Sequence, residues 1–217
     1  MPPSRLSPQQ RKIIQTICVL AIIASLLSFI PEGPRKARLD RMSFRALGWG
    51  MAEESARVLH ERGDVVVVYP DASGTRFAVY EDQMKFFWNS IESHSGIHVV
   101  GREKVAGFFD HSPEPGSGMS PEHYKEIVQK YPKAAAIISF VGLPYLTEAQ
   151  ISELPEKLPK MVAYVARQGV RKEFFEDQIV HVVIARRFVK PDTKIQKIPE
   201  LFAYYYQVIK PKIPDQP

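Results

Sequence analysis

An uncharged apolar run near the N-terminus constrains this chain more than any other feature. Residues 13–30 read IIQTICVLAIIASLLSFI, eighteen residues without a charge, and Pro31 ends the run. A helix of this length is just long enough to cross a bilayer hydrocarbon core of roughly 30 Å. The sequence therefore predicts an N-terminal transmembrane helix that holds the rest of the chain at a membrane.

Two other interpretations of this segment stay open. A cleaved signal peptide has a shorter apolar core, of about 7–15 residues, followed by small residues at a cut site. Here Phe29 and Ile30 end the run, and no such small-residue pattern follows. A buried core helix would carry one polar face, whereas this run has only four polar residues. The length of the run, the lack of a cut site and the lack of a polar face favour an uncleaved anchor.

Basic residues flank the run on both sides. Arg5, Arg11 and Lys12 precede it, within a polar segment 1–12 that we expect to be disordered. The segment 31–41 follows as a basic linker, with four cations between Arg35 and Arg41. Lysine and arginine near the ends set orientation, and this near balance favours export of the C-terminal part only slightly. We therefore expect a single-pass anchor with an extracytoplasmic domain.

The composition excludes several classes of function. The only cysteine, Cys18, lies inside the apolar run, so the remainder has no disulfide, thiol nucleophile or thiolate metal site. The formal net charge is +5, and much of the excess lies in segment 31–41, where lipid headgroup contact explains it. A nucleic-acid interface would need a basic stripe with interleaved aromatic residues. None is visible, so we expect no nucleic-acid partner.

Helical and strand periodicities alternate from residue 42 to residue 210. Apolar stripes predict helices within 42–62, 84–91, 124–131 and 201–209. Ser120 with Pro121 predicts the start of the third of these helices, and a capping box at Thr147 and Gln150 predicts a further short helix. Short apolar runs predict five strands, at 65–69, 97–100, 134–141, 161–166 and 179–185. The continuous run VVVVY at 65–69 is typical of a strand covered on both faces. The pattern predicts a single three-layer α/β domain with a mainly parallel five-stranded sheet, in the common order 2-1-3-4-5. We expect residues 211–217 to form a loose tail.

Part of this domain resembles a known family. Residues 63–141 contain GDVVVVYPDASG, QMKFFWNSIESHSGIHVVG and YKEIVQKYPKAAAIISFVG, which run strand, loop, helix, strand, loop, helix, strand. The segment resembles one lobe of the type 1 periplasmic sugar-binding proteins and their repressor relatives. The resemblance implies the fold and a binding role.

The chain departs from that family in three ways. Those proteins have two lobes with a cleft between them, whereas this chain has room for one. They usually carry Asp or Asn just after the third strand, whereas residues 140–144 here read FVGLP. They are released or lipid-anchored, whereas this chain carries the apolar run.

Candidate site residues follow the predicted strands, because open parallel sheets bind ligands at the carboxyl ends of their strands. This criterion selects the loops 70–76, 101–103, 142–145 and 186–187. A polar ligand would be bound by Asp71, Ser73, Gly74, Thr75 and Arg102. Asp, Ser, Gly and Thr are also ordinary turn residues, so loop 70–76 as a plain connection stays open. Histidine spacing matches no metal motif, no catalytic constellation is visible, and we expect no metal and no cofactor.

These observations predict a membrane-anchored extracytoplasmic α/β module that serves binding or assembly and is not an enzyme. The alternative is an enzyme or small-ligand sensor acting on a polar or anionic ligand at the carboxyl ends of the strands. The expected partners are the lipid bilayer, a larger membrane protein complex and a small polar ligand.

Overall fold

Helices and strands alternate throughout the part of the chain that the structure describes. The computed structural model describes residues 34–71, 77–105, 118–166, 173–176, 179–190, 192 and 194–211. The helices are α1 (Pro34–Leu59), α2 (Phe77–Ile91), α3 (Pro121–Lys130), α4 (Glu148–Ser152), α5 (Glu173–Glu176) and α6 (Ile198–Tyr205). The strands are β1 (Gly63–Pro70), β2 (Ile97–Val105), β3 (Ala136–Ser139), β4 (Lys160–Val165), β5 (Val182–Arg186) and β6 (Tyr206–Ile209).

The strands form one mixed sheet in the order β2-β1-β3-β4-β5-β6. Every neighbouring pair is parallel except β5 and β6, which are antiparallel. The predicted α/β class and the mainly parallel sheet are therefore confirmed. The order of the first five strands is the one expected for a doubly wound sheet, whose switch point lies between β1 and β3.

The sixth strand shows that the prediction of a five-stranded sheet is wrong. Apolar spacing predicted one final helix through Ile209, but α6 ends at Tyr205 and β6 begins at Tyr206. Along this edge strand Tyr206 and Val208 pack on one side of the sheet, and Ile209 packs on the other. This alternation is typical of a strand, and pairing with β5 satisfies backbone groups that a longer helix would have satisfied internally.

Two hydrophobic layers cover the sheet, one on each face, and β1 is therefore buried on both sides. Val65 and Val67 belong to a cluster with α1, α2 and α6, whereas Val66 and Val68 belong to a cluster with α3. All four valines are 0% exposed. A strand with both faces covered carries a continuous β-branched run rather than an alternating one. The three-layer arrangement predicted from the sequence follows from this burial.

Helix α1 packs closely between α2 and α6 through two glycines. A Cβ atom on Gly48 would lie 2.0 Å from the carbonyl oxygen of Gln83, and one on Gly50 would lie 2.0 Å from the ring of Phe202. Only glycine permits these two close approaches. The helix begins at Pro34, so part of the predicted basic linker is helical.

Local capping signals correctly marked two helix starts. The Ser120 hydroxyl accepts a hydrogen bond from the His123 amide at the start of α3, and Pro121 occupies the first turn. The capping box of Thr147 and Gln150 begins α4. Such side chains satisfy backbone amides that lack intrahelical partners.

The described residues from Leu39 onward belong to one compact unit. None of the helices described here combines the length and the apolar character needed to cross a membrane. The predicted anchor, residues 13–30, and the predicted disordered segment, residues 1–12, both lie outside the described residues.

The burial of β1 makes a matched pair of substitutions informative. Val67→Asp should abolish folding, because an unpaired carboxylate in this layer costs more than about 5 kcal/mol, a large part of a typical stability of roughly 5–15 kcal/mol. Val100→Asp places the same group on β2 at a bulge, where the side chain is 47% exposed, and should change stability by less than about 1 kcal/mol. Chemical unfolding followed by circular dichroism measures both. A folded Val67→Asp protein would contradict the two-sided burial.

Candidate functional site

The carboxyl ends of β1 and β2 meet at one edge of the sheet. Pro70 and Val105 are opposite each other in the parallel register. The next residue, Asp71, donates its backbone N–H to the carbonyl oxygen of Val105 at 2.9 Å. This bond extends the pairing by one residue, so the backbone of Asp71 is fixed at the edge where open α/β sheets bind ligands.

A cation lies beside this carboxylate. Lys104 Nζ is 3.9 Å from Asp71 Oδ1, and the two side chains are 61% and 55% exposed. An ion pair this long and this exposed contributes little to stability. Both groups therefore remain available to a ligand from solvent.

Arg102 lies in β2 rather than in a loop, so the prediction of a loop at residues 101–103 is wrong. It pairs opposite Val67, three residues before the end of the strand, or about 10 Å upstream of Val105. Its guanidinium carbon is 4.3 Å from the centroid of the Trp88 ring. Asp71 and Arg102 thus lie on neighbouring strands, each with its own contact.

Gly101 suggested the end of a strand, but it lies inside β2 because Tyr131, a residue distant in sequence, packs over it. A Cβ atom at this position would lie 2.6 Å from the Tyr131 ring, so glycine is required for α3 to cover β2 here. A glycine inside a strand commonly marks such a close approach. The glycine therefore continues the strand, although it suggested a strand end.

An aromatic and cationic row lines the α2 side of β2. The Trp88 ring stands edge-on to the Tyr69 ring, with 6.1 Å between their centroids. Arg102 covers Trp88, and Lys104 follows two positions later, hence on the same side of the strand. Sequence reasoning missed Tyr69, Trp88 and Lys104. The spacing of Arg102 and Lys104 was the available signal.

On the side of β2 that faces α3, Glu103 binds two residues at the end of that helix. Its Oε1 atom accepts hydrogen bonds from Tyr131 Oη at 2.6 Å and from Lys130 Nζ at 2.8 Å. Partial burial alone would raise the pKa of Glu103, but these hydrogen bonds and the Lys130 charge lower it. Glu103 is therefore a charged structural group that holds the end of β2 against α3.

The loop after β3 brings mainly apolar groups to the switch point. Phe140 is 2% exposed and Leu143 is 2% exposed. The Ser139 hydroxyl is used internally, since it donates to the carbonyl oxygen of Gly142 at 2.7 Å. Gly142 has a φ of +91°, which favours glycine. Next to the switch point, the described charged groups therefore belong to β1 and β2 rather than to the loop after β3.

The remaining predicted positions divide into two groups. Ser73, Gly74 and Thr75 lie outside the described residues, although Asp71 just before them is described. Arg186 and Arg187 end β5, which stands three strands from β1 in the sheet. That separation is about 14 Å at ordinary strand spacing, so the arginines are too far to share a small ligand with Asp71.

A histidine cluster lies at the amino ends of the strands, on the opposite side of the sheet from Asp71. His94 Nδ1 lies 2.8 Å from Glu61 Oε2, and His94 Nε2 lies 3.3 Å from Glu53 Oε1. Ser90 donates a hydrogen bond to the same Glu53 oxygen. Partial burial opposes charging, but the two carboxylates raise the pKa of His94 above its usual value. No set of three or more metal-ligating side chains in the described ranges is arranged to hold a metal ion.

Comparisons with known proteins identify the fold. No family model matches this chain, and no curated protein matches it. A solute-binding protein of a Burkholderia graminis ABC transporter, solved with D-arabinose, is 12% identical with a TM-score of 0.50; the match covers 76% of this chain and 59% of that one.

Two proteins from Geobacillus stearothermophilus are also similar. The arabinose-binding protein AraP is 16% identical over 66% of this chain and 45% of its own, with a TM-score of 0.45. The glucose-galactose-binding protein GanP is 12% identical over 80% of this chain and 62% of its own, with a TM-score of 0.48. The matches thus span between 45% and 62% of these neighbours' lengths.

The resemblance to one lobe of the periplasmic sugar-binding proteins is confirmed at the level of the fold. The Burkholderia graminis protein, with a TM-score of 0.50, supports this shared fold. At this identity the likeness concerns the fold alone.

The raised pKa of His94 predicts a pH dependence of stability. Histidinium is favoured in the folded state, so its contribution is complete below the unfolded pKa of about 6.5 and is lost as pH rises through the higher folded pKa. His94→Gln should therefore destabilise the protein more at pH 5.5 than at pH 8.5. The exposed His98→Gln is the matched control and should show little difference. Urea midpoints at the two pH values measure the effect, and equal destabilisation of His94→Gln at both would contradict it.

Proposed function

We propose that this chain is a membrane-anchored extracytoplasmic binding module, whose ligand is a small polar molecule bound at the carboxyl ends of β1 and β2. One observation carries the proposal. Asp71 is fixed by a backbone bond to Val105, while its carboxylate and the ammonium group of Lys104 remain more than half exposed. A fixed backbone with accessible charges is what a binding edge requires.

The chemistry of this edge suits a hydroxylated or anionic ligand. The Asp71 carboxylate accepts hydrogen bonds from hydroxyl groups, and Lys104 and Arg102 donate them. Arg102 is already held against Trp88, so less side-chain freedom is lost when it binds. In the proposed site, Ser73 and Thr75 would add hydroxyl groups after Asp71, and Gly74 between them would allow the backbone to approach the ligand closely.

Three further observations support the binding role and the location. The Burkholderia graminis neighbour was solved in complex with D-arabinose, which makes a pentose the first candidate ligand. The uncharged run 13–30 supports the membrane anchor. The resemblance to periplasmic proteins supports an extracytoplasmic side for the domain.

An assembly module is the alternative that one observation favours. The exposed charged groups of Asp71 and Lys104 are as accessible to a partner protein as to a small ligand. In that case the edge of β1 and β2 would contact a protein of a membrane complex. An enzyme acting on the same ligand remains a further alternative, with hydroxyl groups at Ser73 and Thr75.

Ligand binding to the full-length protein tests the proposal. The panel contains D-arabinose, D-glucose, D-galactose and inorganic phosphate, and thermal shift is followed by calorimetry. At least one compound should bind, and Asp71→Ala should weaken it tenfold or more, about 1.4 kcal/mol. Lys104→Ala should weaken the binding of phosphate, the anion of the panel, more than the binding of the sugars.

The control is Lys85→Ala, an exposed lysine on α2, which should bind like the parent protein. Asp71→Ala should unfold at nearly the parent temperature, since its exposed ion pair contributes little. Parent-like affinity of Asp71→Ala, or no binding from the whole panel, would reject the small-ligand site and favour the assembly role.

A further inference from the structure

The most exposed large apolar side chain among the described residues lies just after β5. Phe188 is 78% exposed, and the adjacent Val189 is 37% exposed. A single exposed apolar residue needs no explanation, but a nearly bare phenylalanine beside a second exposed apolar residue indicates a contact surface.

Cations flank this apolar pair on both sides. The stretch 186–190 reads RRFVK, with three basic residues and no acidic one. Arg187 and Lys190 are exposed, and the guanidinium carbon of Arg186 lies 5.9 Å from the centroid of the Phe44 ring. Apolar side chains surrounded by exposed cations match the chemistry of an anionic bilayer surface better than that of a neutral apolar groove.

The stretch is held in place by the end of α6. The Arg187 amide donates to the carbonyl oxygen of Tyr205 at 2.7 Å. The Tyr204 hydroxyl donates to the carbonyl oxygen of Lys190 at 2.8 Å. These bonds fix the backbone on both sides of Phe188, so the apolar pair is presented from a defined position.

The same corner of the domain receives the chain from its N-terminal side. Tyr206, which pairs with Arg186, donates its hydroxyl to the carbonyl oxygen of Ser43 at 3.1 Å. Ser43 lies in α1 and follows the apolar run 13–30 by thirteen residues in the sequence. The exposed Arg41 adds another cation near this point of the chain.

We infer that residues 186–190 dock on an anionic lipid surface, with Phe188 entering the boundary between headgroups and acyl chains and with Arg187 and Lys190 on lipid phosphates. This inference rests on the membrane location in the proposed function and adds a second contact from the folded domain itself. Because β1, β2 and β5 run parallel, docking at the end of β5 turns the Asp71 edge toward the same bilayer.

A fluorescent probe at residue 189 tests the docking in the full-length protein. Cys18→Ser removes the only native cysteine, and Val189→Cys carries an environment-sensitive dye beside an intact Phe188. The control is Val100→Cys, which lies in β2, the outer strand on the far side of the sheet from β5 and β6, and is 47% exposed. Each protein is reconstituted into nanodiscs of phosphatidylcholine with 30% phosphatidylglycerol. Nitroxide-labelled headgroups and aqueous iodide serve as quenchers.

The dye at 189 should be quenched by the lipid nitroxide and be at least threefold less accessible to iodide than the dye at 100. Adding Phe188→Ser, Arg187→Glu and Lys190→Glu should restore full iodide access. Equal iodide access at 189 and 100 would overturn the inference. Protection at 189 without lipid quenching would also overturn it, because it would indicate a protein partner.

A separate experiment tests whether residues 13–30 anchor the chain. Membranes containing the full-length protein are washed with carbonate before reconstitution, and release of the chain shows that residues 13–30 do not anchor it. The released chain is then sedimented with vesicles of the same composition, where docking predicts binding that the triple variant loses. The sugar and phosphate panel is unaffected by either result, so the ligand site succeeds or fails independently.

Discussion

Burial of both faces of β1 is the constraint on which the rest of the structure depends. The side chains of Val65 and Val67 point to one helical layer and those of Val66 and Val68 to the other, with none of their surface exposed. A strand without a solvent face needs helices on both sides and hydrogen-bonded strands on both edges. Its neighbours β2 and β3 meet this requirement as parallel strands, which places all their carboxyl ends at one edge of the sheet.

The proposed chemistry follows from that edge. Asp71 directly follows the buried strand, and its amide is bonded to the end of β2, so the rigid centre of the sheet positions an accessible carboxylate. Lys104 and Arg102 belong to an edge strand and can remain exposed. Farther along the same edge, the stretch 186–190 combines Phe188 with flanking cations. One end of the domain thus carries both the proposed ligand site and the proposed lipid contact.

Local signals were sufficient for the features that depend on neighbours in sequence. The run at Val65–Val68 predicted a doubly covered strand, and Ser120 with Pro121 predicted the start of α3; both are confirmed. Contacts between distant residues explain the errors. Gly101 continues β2 because Tyr131 packs over it, and Tyr206 leaves the helical pattern because it pairs with Arg186. Neither contact has a signature in the local sequence, so the continuation of β2 beyond residue 100 and the sixth strand were missed.

Hydrogen exchange of the full-length protein, with and without the tightest-binding compound, tests the central claim most directly. The account predicts that the amides of β1 are among the slowest to exchange, and that ligand slows exchange at 71 and 104–105 more than at 97–100. Ligand-dependent protection confined to other segments, or exchange in β1 as fast as in the edge strands β2 and β6, would contradict it.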